Sequence, residues 1–432
     1  MTGYRDLARN RDFTVLWAGE TINELGSAVS LFAYPLLAYA LTHSAYLTSI
    51  VEALFLLGMA GATLPGGVLA DRVDRRLIMR TASGLAALMY AALAALTLTN
   101  HLVVGELAVG ALLTGIAAGV YGPAQTSAIR SVVSNEELST ALAQDQARQH
   151  VGSLLGGPLG GALFAVSRGL PFLADAVSYL ISTVTVSRIR TSLAAPARTR
   201  TTRIRRDLAE GFAFAWRWRF FRVLISWSSL TNLVGNAIFF VALLRMIQTH
   251  QPPAAIGAVS TAAGIGGLVG AAIAPRLIEA LPTGVLTLAV AWMCVLPVVP
   301  LIFWSSPWAV GSSLFFLLLI NPSGNAGISA YRMAMTPNHL QARASAASRF
   351  VSMSLMPLSP VVGAALLHHF GGSVAVLGLV IASALLAVYL SACRSIRSVP
   401  RPAVWRAQLA EEVTPVNPGS AAASAMPVPP GR

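Results

Sequence analysis

The sequence predicts an all-α membrane protein of twelve transmembrane helices, arranged as two similar six-helix halves. Three observations predict it. Of its 432 residues, 55% are hydrophobic and 11% charged, with mean hydropathy +0.66, whereas a soluble domain carries about a quarter charged residues. Many stretches without Asp, Glu or Arg reach the ~20 apolar residues that a membrane-crossing helix needs. Finally, short patterns from the first half return in the second at an offset of just over two hundred residues. This composition excludes an ordinary cytosolic enzyme.

Taken in order, the first span covers 13–40. It follows Arg5, Arg9 and Arg11 and carries Glu20 and Glu24, so it reads as a full span and not as a cleavable leader. The second covers 45–69 and contains Glu52; the third and fourth cover 77–99 and 103–126. The fifth, 141–166, has Asp145 and Arg148 near one end, where they suit an ion pair or the interface. The sixth, 170–187, begins near Pro171, with Asp175 close to the outer surface. The remaining six cover 221–244, 255–275, 283–304, 308–330, 347–369 and 373–392. The halves are therefore 1–187 and 221–392.

A linker over 188–220 joins them. Residues 188–222 hold ten arginines against Asp207 and Glu210, and Leu208, Phe212, Ala215 and Trp216 recur at the spacing of a helix lying on the membrane surface. The alternative is a disordered basic connector. The tail over 393–432, rich in Pro, Ala and Ser, reads as disordered and cytoplasmic.

All thirty basic residues are arginine, against seventeen acids, for a net charge of +13. With both termini inside, only Arg168 and Arg245 fall outside, as the positive-inside rule requires of an even number of spans. This charge rims one membrane face, which argues against a nucleic-acid partner. Cys294 and Cys393 support neither a disulfide framework nor a metal site.

The repeat rests on named residues. Arg9-x-Arg11-x-Phe13-x-Val15-Leu16 returns as Arg217-x-Arg219-x-Phe221-x-Val223-Leu224. Ser127-Ala128-x-Arg130 returns as Ser329-Ala330-x-Arg332, and Pro158-xx-Gly161-Ala162 as Pro360-xx-Gly363-Ala364, both at an offset of 202. Two such halves related by an axis along the membrane normal describe a secondary transporter with its site between them.

After the second span, Gly67-Val68-Leu69-Ala70-Asp71-Arg72-Val73-Asp74-Arg75-Arg76 resembles the signature loop of the major facilitator superfamily, Gly-x-Leu-Ala-Asp-Arg-x-Gly-Arg-Arg/Lys, with Asp74 where glycine is commoner. The opening Arg11-Asp12-Phe13-Thr14-Val15-Leu16-Trp17-Ala18-Gly19-Glu20 and the stretch from Pro123 to Leu138 resemble its efflux branch, which includes the enterobactin exporter and macrolide-efflux permeases. That branch usually has Gln at the position of Glu20 and often an acid at that of Ser27. The resemblance implies the major facilitator fold, alternating access, and a latch in which Asp71 meets the N-terminus of the eleventh span while Arg72, Arg75 and Arg76 meet neighbouring helix ends, with Arg130 a second partner. A helix N-terminus favours such an anion by ~0.3–1 kcal/mol. Gly156-Gly157-Pro158-Leu159-Gly160-Gly161 resembles the superfamily's antiporter motif, with the proline one residue nearer the glycine pair. Small residues at this spacing also suit any close helix pair. The arginine that many proton antiporters carry on the fourth span is absent from Ala111-Leu112-Leu113-Thr114-Gly115.

An ionised side chain near the bilayer centre costs at least ~2.5–3.5 kcal/mol unless it faces a cavity or partner. Glu20 and Glu24 lie four apart on one helix face, and Glu52 is expected at a similar depth to Glu24. Carboxylates sharing a cavity disfavour each other's ionisation, so proton capture near neutral pH is expected of them. The alternative for each acid is a hydrogen-bonded residue that fixes helix packing. In the second half Asn232, Asn236, Asn321, Ser323 and Asn325 are spaced to face a cavity that Trp227, Phe239, Phe240 and Trp292 could line or merely pack around.

The function expected is export of a small, bulky, largely apolar compound by proton antiport, from a monomer in the cytoplasmic membrane with both termini inside. No cofactor is expected; the proton gradient supplies the energy. Alternatives are a proton-coupled symporter, a lipid or siderophore carrier, or a non-transporting sensor or scaffold. No Gly-x-x-x-x-Gly-Lys loop and no metal-ligand spacing points to an enzyme, and His368-His369 lacks a nearby acid.

Overall fold

The computed structural model describes residues 7, 9–134, 137–194, 210, 212–214, 216–336, 340–405 and 407. Among them the chain forms helices joined by turns, with no strand. The first half contains α1 (Arg11–Thr42), α2 (Ala45–Ala70), α3 (Arg75–Leu98), α4 (Val104–Val132), α5 (Leu138–Val166) and α6 (Leu170–Arg188). The second contains α7 (Arg219–Gln248), α8 (Pro253–Ala280), α9 (Thr283–Met293), α10 (Pro307–Leu319), α11 (Asn321–Ala334), α12 (Gln341–Ser354), α13 (Ser359–Phe370) and α14 (Gly372–Ala392), followed by the short α15 (Arg394–Arg397).

These elements make twelve rods, one for each span that the sequence predicts. Eleven are long and apolar enough to cross a membrane. The remaining rod, α5, has 29 residues and a polar first half containing Asp145 and Arg148.

Three rods of the second half are broken, and each break holds proline. A 3-10 turn over Leu296–Ile302, with Pro297 and Pro300, continues α9; Pro322 follows the joint between α10 and α11; Pro357 sits in the 3-10 turn Met356–Leu358 between α12 and α13. Proline removes a backbone donor and clashes with the preceding turn, so a long α-helix gives way there.

Caps fix where the rods begin. The Asn10 side chain accepts a hydrogen bond from the Phe13 amide at 3.1 Å and donates to the Val132 carbonyl at 2.8 Å, tying the start of α1 to the end of α4. His43 and His250 end α1 and α7 with φ of 50° and 56°, and this matching pair carries the repeat into the backbone. Another matching pair joins the segment after each half to the third rod of that half: the Arg75 amide donates to the Leu193 carbonyl at 3.2 Å, and the Gly284 amide to the Val399 carbonyl at 3.1 Å.

That second contact corrects the expectation of disorder from residue 393 onward. Residues 393–405 pack, because Cys393, Ile396, Val399 and Trp405 present apolar side chains that are buried, with the Trp405 ring 5.8 Å from that of Tyr331. The rest of the tail lies outside the described residues, apart from Ala407. The linker's expected surface helix is described only in part: 212–214 and 216–217 are helical, and the exposed rings of Phe212 and Trp216 stack at 5.2 Å. Leu208 and Ala215 lie outside the described residues.

The cores of the two halves differ. In the second half one apolar cluster runs the length of the bundle. In the first half there are two, one around Tyr34, Tyr90, Phe172 and Tyr179, the other around Phe13, Leu16, Met79 and Tyr121. Between them α1, α5 and α6 supply Glu20, Glu24, Arg148 and Ser182.

Candidate functional site

The polar layer is organised by Arg148, whose side chain is 2% exposed. Its Nη1 donates to the Glu20 backbone carbonyl at 2.6 Å and lies 3.6 Å from Glu24 Oε2 and 3.9 Å from Glu20 Oε2. Its Nη2 donates to Asp145 Oδ1 at 2.5 Å. A planar guanidinium with several fixed donors suits one cation serving carboxylates on two helices. Glu20 is buried, receives a hydrogen bond from the Tyr121 hydroxyl of α4, and has Ser182 Oγ of α6 3.5 Å away. Gln125 and Gln149 donate to Asp145 at 3.3 and 3.0 Å.

The four-residue spacing of Glu20 and Glu24 thus meets one partner, as the shared face predicts. Their surroundings differ. The Glu20 side chain is 4% exposed and that of Glu24 34%, so Glu24 is the member that a solute can reach. The ion pair expected of Asp145 and Arg148 is present, but not at the interface: α5 starts at Leu138, so Arg148 lies ten residues, ~15 Å, along it. An arginine three residues after an aspartate, in the polar half of a predicted span, was the available signal.

Glu52 does not join this cluster. It forms no ion pair among the described residues, and its Oε2 is buried without a hydrogen-bond partner. The reason is that α2 packs chiefly on α4 and also on α13, whereas Arg148 belongs to α5. Asp175 also departs from expectation. It is wholly buried, held by Ser30 Oγ at 2.5 Å and Ser178 Oγ at 2.8 Å, because the start of α6 packs against α1 and not at the surface. Glu106 is an exposed cap, accepting from the Val103 amide at 3.1 Å.

The glycines of α5 form two stripes, each with a different neighbour. A side chain at Gly152 would meet the Glu24 Cγ, and one at Gly156 or Gly160 would collide with Ala28 or with Val29 and Phe32, all on α1. On the other stripe, Gly157 lies against Gly257 and Ser260, and Gly161 against Pro253 and Ala254, all on α8 of the other half. Pro158 lies between these stripes on the same turn, and a side chain at Gly257 would reach it. The motif Gly157-Pro158-x-x-Gly161 is therefore a place where the halves touch with backbone against backbone. This contact lies on the half of α5 away from Asp71, and α2 also packs on α13 of the other half.

At the Asp71 end, the arginines bind helix ends of the first half. Arg75 donates to the Ala70 carbonyl at 3.2 Å and to Ser131 Oγ at 2.7 Å, and Arg76 to the carbonyls of Ile189 and Thr191 at 2.8 and 2.9 Å. Asp12 Oδ2 accepts from the amides of Arg190 and Thr191 at 3.0 and 2.7 Å. Asp71 stands exposed at the end of α2 beside exposed Arg72, with Gly67 one turn earlier, and Arg130 is exposed on α4.

In the second half Asn232 Nδ2 donates to the Ser352 carbonyl at 3.0 Å, just before the break between α12 and α13, and Asn236 donates back to the Asn232 carbonyl at 2.8 Å. Asn325 is exposed and donates to Asn321 Oδ1 at 2.6 Å. Trp227 and Phe240 belong to the apolar core; Phe239 is exposed and, as expected, lines a small cavity with Leu243, Ile256, Ser260 and Leu314, and Trp292 donates to Ser391 Oγ of α14 at 3.3 Å.

A family model described as Major Facilitator Superfamily matches residues 16–360. The chain is 27% identical over 311 residues to the multidrug efflux pump Tap of Mycolicibacterium fortuitum, covering 67% of this chain and 74% of that one. Against the protein of the same name from Mycobacterium tuberculosis (strain ATCC 25618 / H37Rv) the identity is 28% over 323 residues, covering 69% and 75%. Among solved structures, a mutant of the nucleoside transporter NupG superposes with TM-score 0.72 at 12% identity, over 88% of this chain and 98% of that one. A bacterial homolog of the human lysosomal transporter Spinster superposes with TM-score 0.66 at 13% identity, over 90% and 96%.

Proposed function

The chain belongs to the Major Facilitator Superfamily, and on that premise we propose that it is a secondary active exporter of bulky, largely apolar small molecules, driven by proton antiport across the cell membrane. The observation that carries the coupling is the set of Glu20, Glu24 and Asp145 around one buried arginine. One cation cannot balance three carboxylates in a low-dielectric layer, so the cluster has room for an exchangeable proton. Export agrees with the names of the relatives, which are multidrug efflux pumps. The substrate class agrees with a second half whose rods bring asparagine, serine and aromatic side chains but few formal charges.

In this reading the arginine-rich end, with both termini, faces the cytoplasm, and the protein works as a monomer in the bilayer. Glu24 takes the proton. Its hold on Arg148 then weakens while Asp145 and the Glu20 carbonyl keep the guanidinium in place. Gly152 leaves the Glu24 side chain free to swing. Since α5 contacts α1 through one glycine stripe and α8 through the other, a shift of α1 on α5 reaches the contact between the halves.

Transport of a lipophilic cationic dye in inverted vesicles, with and without a pH gradient, tests the reading. Accumulation that collapses with the gradient is expected. Accumulation indifferent to the gradient overturns proton antiport, and absence of any dye or drug movement overturns export.

A further inference from the structure

Asp175 has no part in the cycle above, yet it is the most enclosed acid of the first half among the described residues. It is 0% exposed, between the buried rings of Tyr34, Tyr90, Phe172 and Tyr179. No basic side chain lies within ion-pair distance among the described residues. Hydroxyl groups replace the missing cation. Ser30 and Ser178 bind its two oxygens, and Ser27 Oγ lies 3.5 Å from Oδ1 while donating to the Tyr179 hydroxyl at 3.1 Å. Tyr90 of α3 faces the same carboxyl.

A buried carboxyl without a cation is costly to keep charged, and an asparagine would fill the same space. What a carboxyl and rotating hydroxyls offer beyond an amide is the ability to take up and pass on a proton. The surroundings extend this property. Ser27 lies one helical turn from Glu24 on α1, and Tyr179 one turn from Ser182 on α6, whose Oγ is 2.8 Å from the Tyr121 hydroxyl that binds Glu20. The titratable groups facing this seam among the described residues are Glu20 and Glu24 on α1, Tyr34 on α1, Tyr90 on α3, Tyr121 on α4 and Tyr179 on α6, with the Arg148 cation at its far end.

We propose that Asp175 is a second proton-carrying carboxyl, whose hydrogen-bonded partners Ser27 and Tyr179 stand one helical turn from Glu24 and from Ser182 of the Glu20–Glu24–Arg148 cluster, so that protons travel inside the first six-helix half, apart from the substrate's path between the halves. The step is a proton hop: a carboxylate oxygen gains the proton that a neighbouring hydroxyl gives up, and that hydroxyl is re-protonated from its other neighbour. This inference rests on the proton-antiport reading. Its test therefore includes transport that needs no proton.

Purified protein in proteoliposomes is assayed for gradient-driven dye transport and for dye counterflow at equal pH. Asp175→Asn is expected to lower driven transport about tenfold or more while leaving counterflow near the unsubstituted rate. Tyr179→Phe, which removes only the hydroxyl, is expected to act in the same direction, and Asp175→Glu to restore part of the driven rate. Driven transport unchanged in Asp175→Asn overturns the proposal, as does loss of counterflow together with a lowered melting temperature, which marks a packing role. If the unsubstituted protein shows counterflow but no gradient-driven transport, the antiport reading fails and this proposal with it.

Discussion

Arg148 donates to the backbone carbonyl oxygen of Glu20, 2.6 Å away and 128 residues earlier in the chain. This bond joins α5 to α1 through the main chain, so it persists whatever the protonation of the acids around it. The arginine is thereby a fixed post about which Glu20, Glu24 and Asp145 can change partners.

Removing that post leaves buried carboxylates uncompensated. Arg148→Gln is expected to abolish dye efflux and to destabilise the protein by about 3–5 kcal/mol, read as a lowered melting temperature in detergent. Arg148→Lys recovers stability only in part, because an ammonium cannot hold the Glu20 carbonyl and Asp145 in the same fork. Full activity in Arg148→Lys would show that charge alone suffices.

Glu24 and Glu20 should separate by assay. Glu24→Gln keeps counterflow but loses response to the pH gradient, since its half-open side chain is the one that exchanges protons. Glu20→Gln, buried against Tyr121 and Ser182, lowers stability as well as transport. Proton exchange for substrate that survives Glu24→Gln would remove Glu24 from the coupling role.

The contact between α5 and α8 of the other half depends on Gly157 and Gly161. Gly157→Val and Gly161→Val put side chains into α8 where backbone now lies, and each should reduce transport about tenfold by opposing closure. Gly84→Ala on α3, where an added carbon meets nothing within 4 Å, serves as the control and should transport normally. Equal effects at all three positions would argue against a specific contact.

Asp71→Asn is expected to lower transport while leaving insertion and melting temperature intact, because the side chain is exposed and Arg75 and Arg76 keep their bonds to helix ends without it. Transport unchanged by the substitution would remove Asp71 from the gate.

Trp405 anchors the segment after α14 against Tyr331. Trp405→Ala should cost about 3–5 kcal/mol of stability, the usual range for a buried tryptophan, visible as a lower melting temperature. An unchanged value would mean that the segment contributes nothing to the second half.

Twelve spans, two halves and the tight glycine motif were legible in the residues, because bilayer thickness and backbone hydrogen bonding leave a hydrophobic chain few alternatives. The same constraint explains why α4 runs past its predicted end: Gln125, Ser127 and Arg130 end the apolar stretch without ending a helix. The acids of the first half were equally visible as residues. Which of them meet was not. Glu20, Glu24 and Asp145 share Arg148, Glu52 stands apart, and Asp175 lies in a shell of hydroxyls, because helix rotation and neighbour choice are set by packing among rods distant in sequence. Sequence by itself determined that charges enter the membrane; only the tertiary structure decided that one buried arginine and a seam of hydroxyls receive them, since a charge in a low-dielectric layer is stabilised by whatever the neighbouring helix presents.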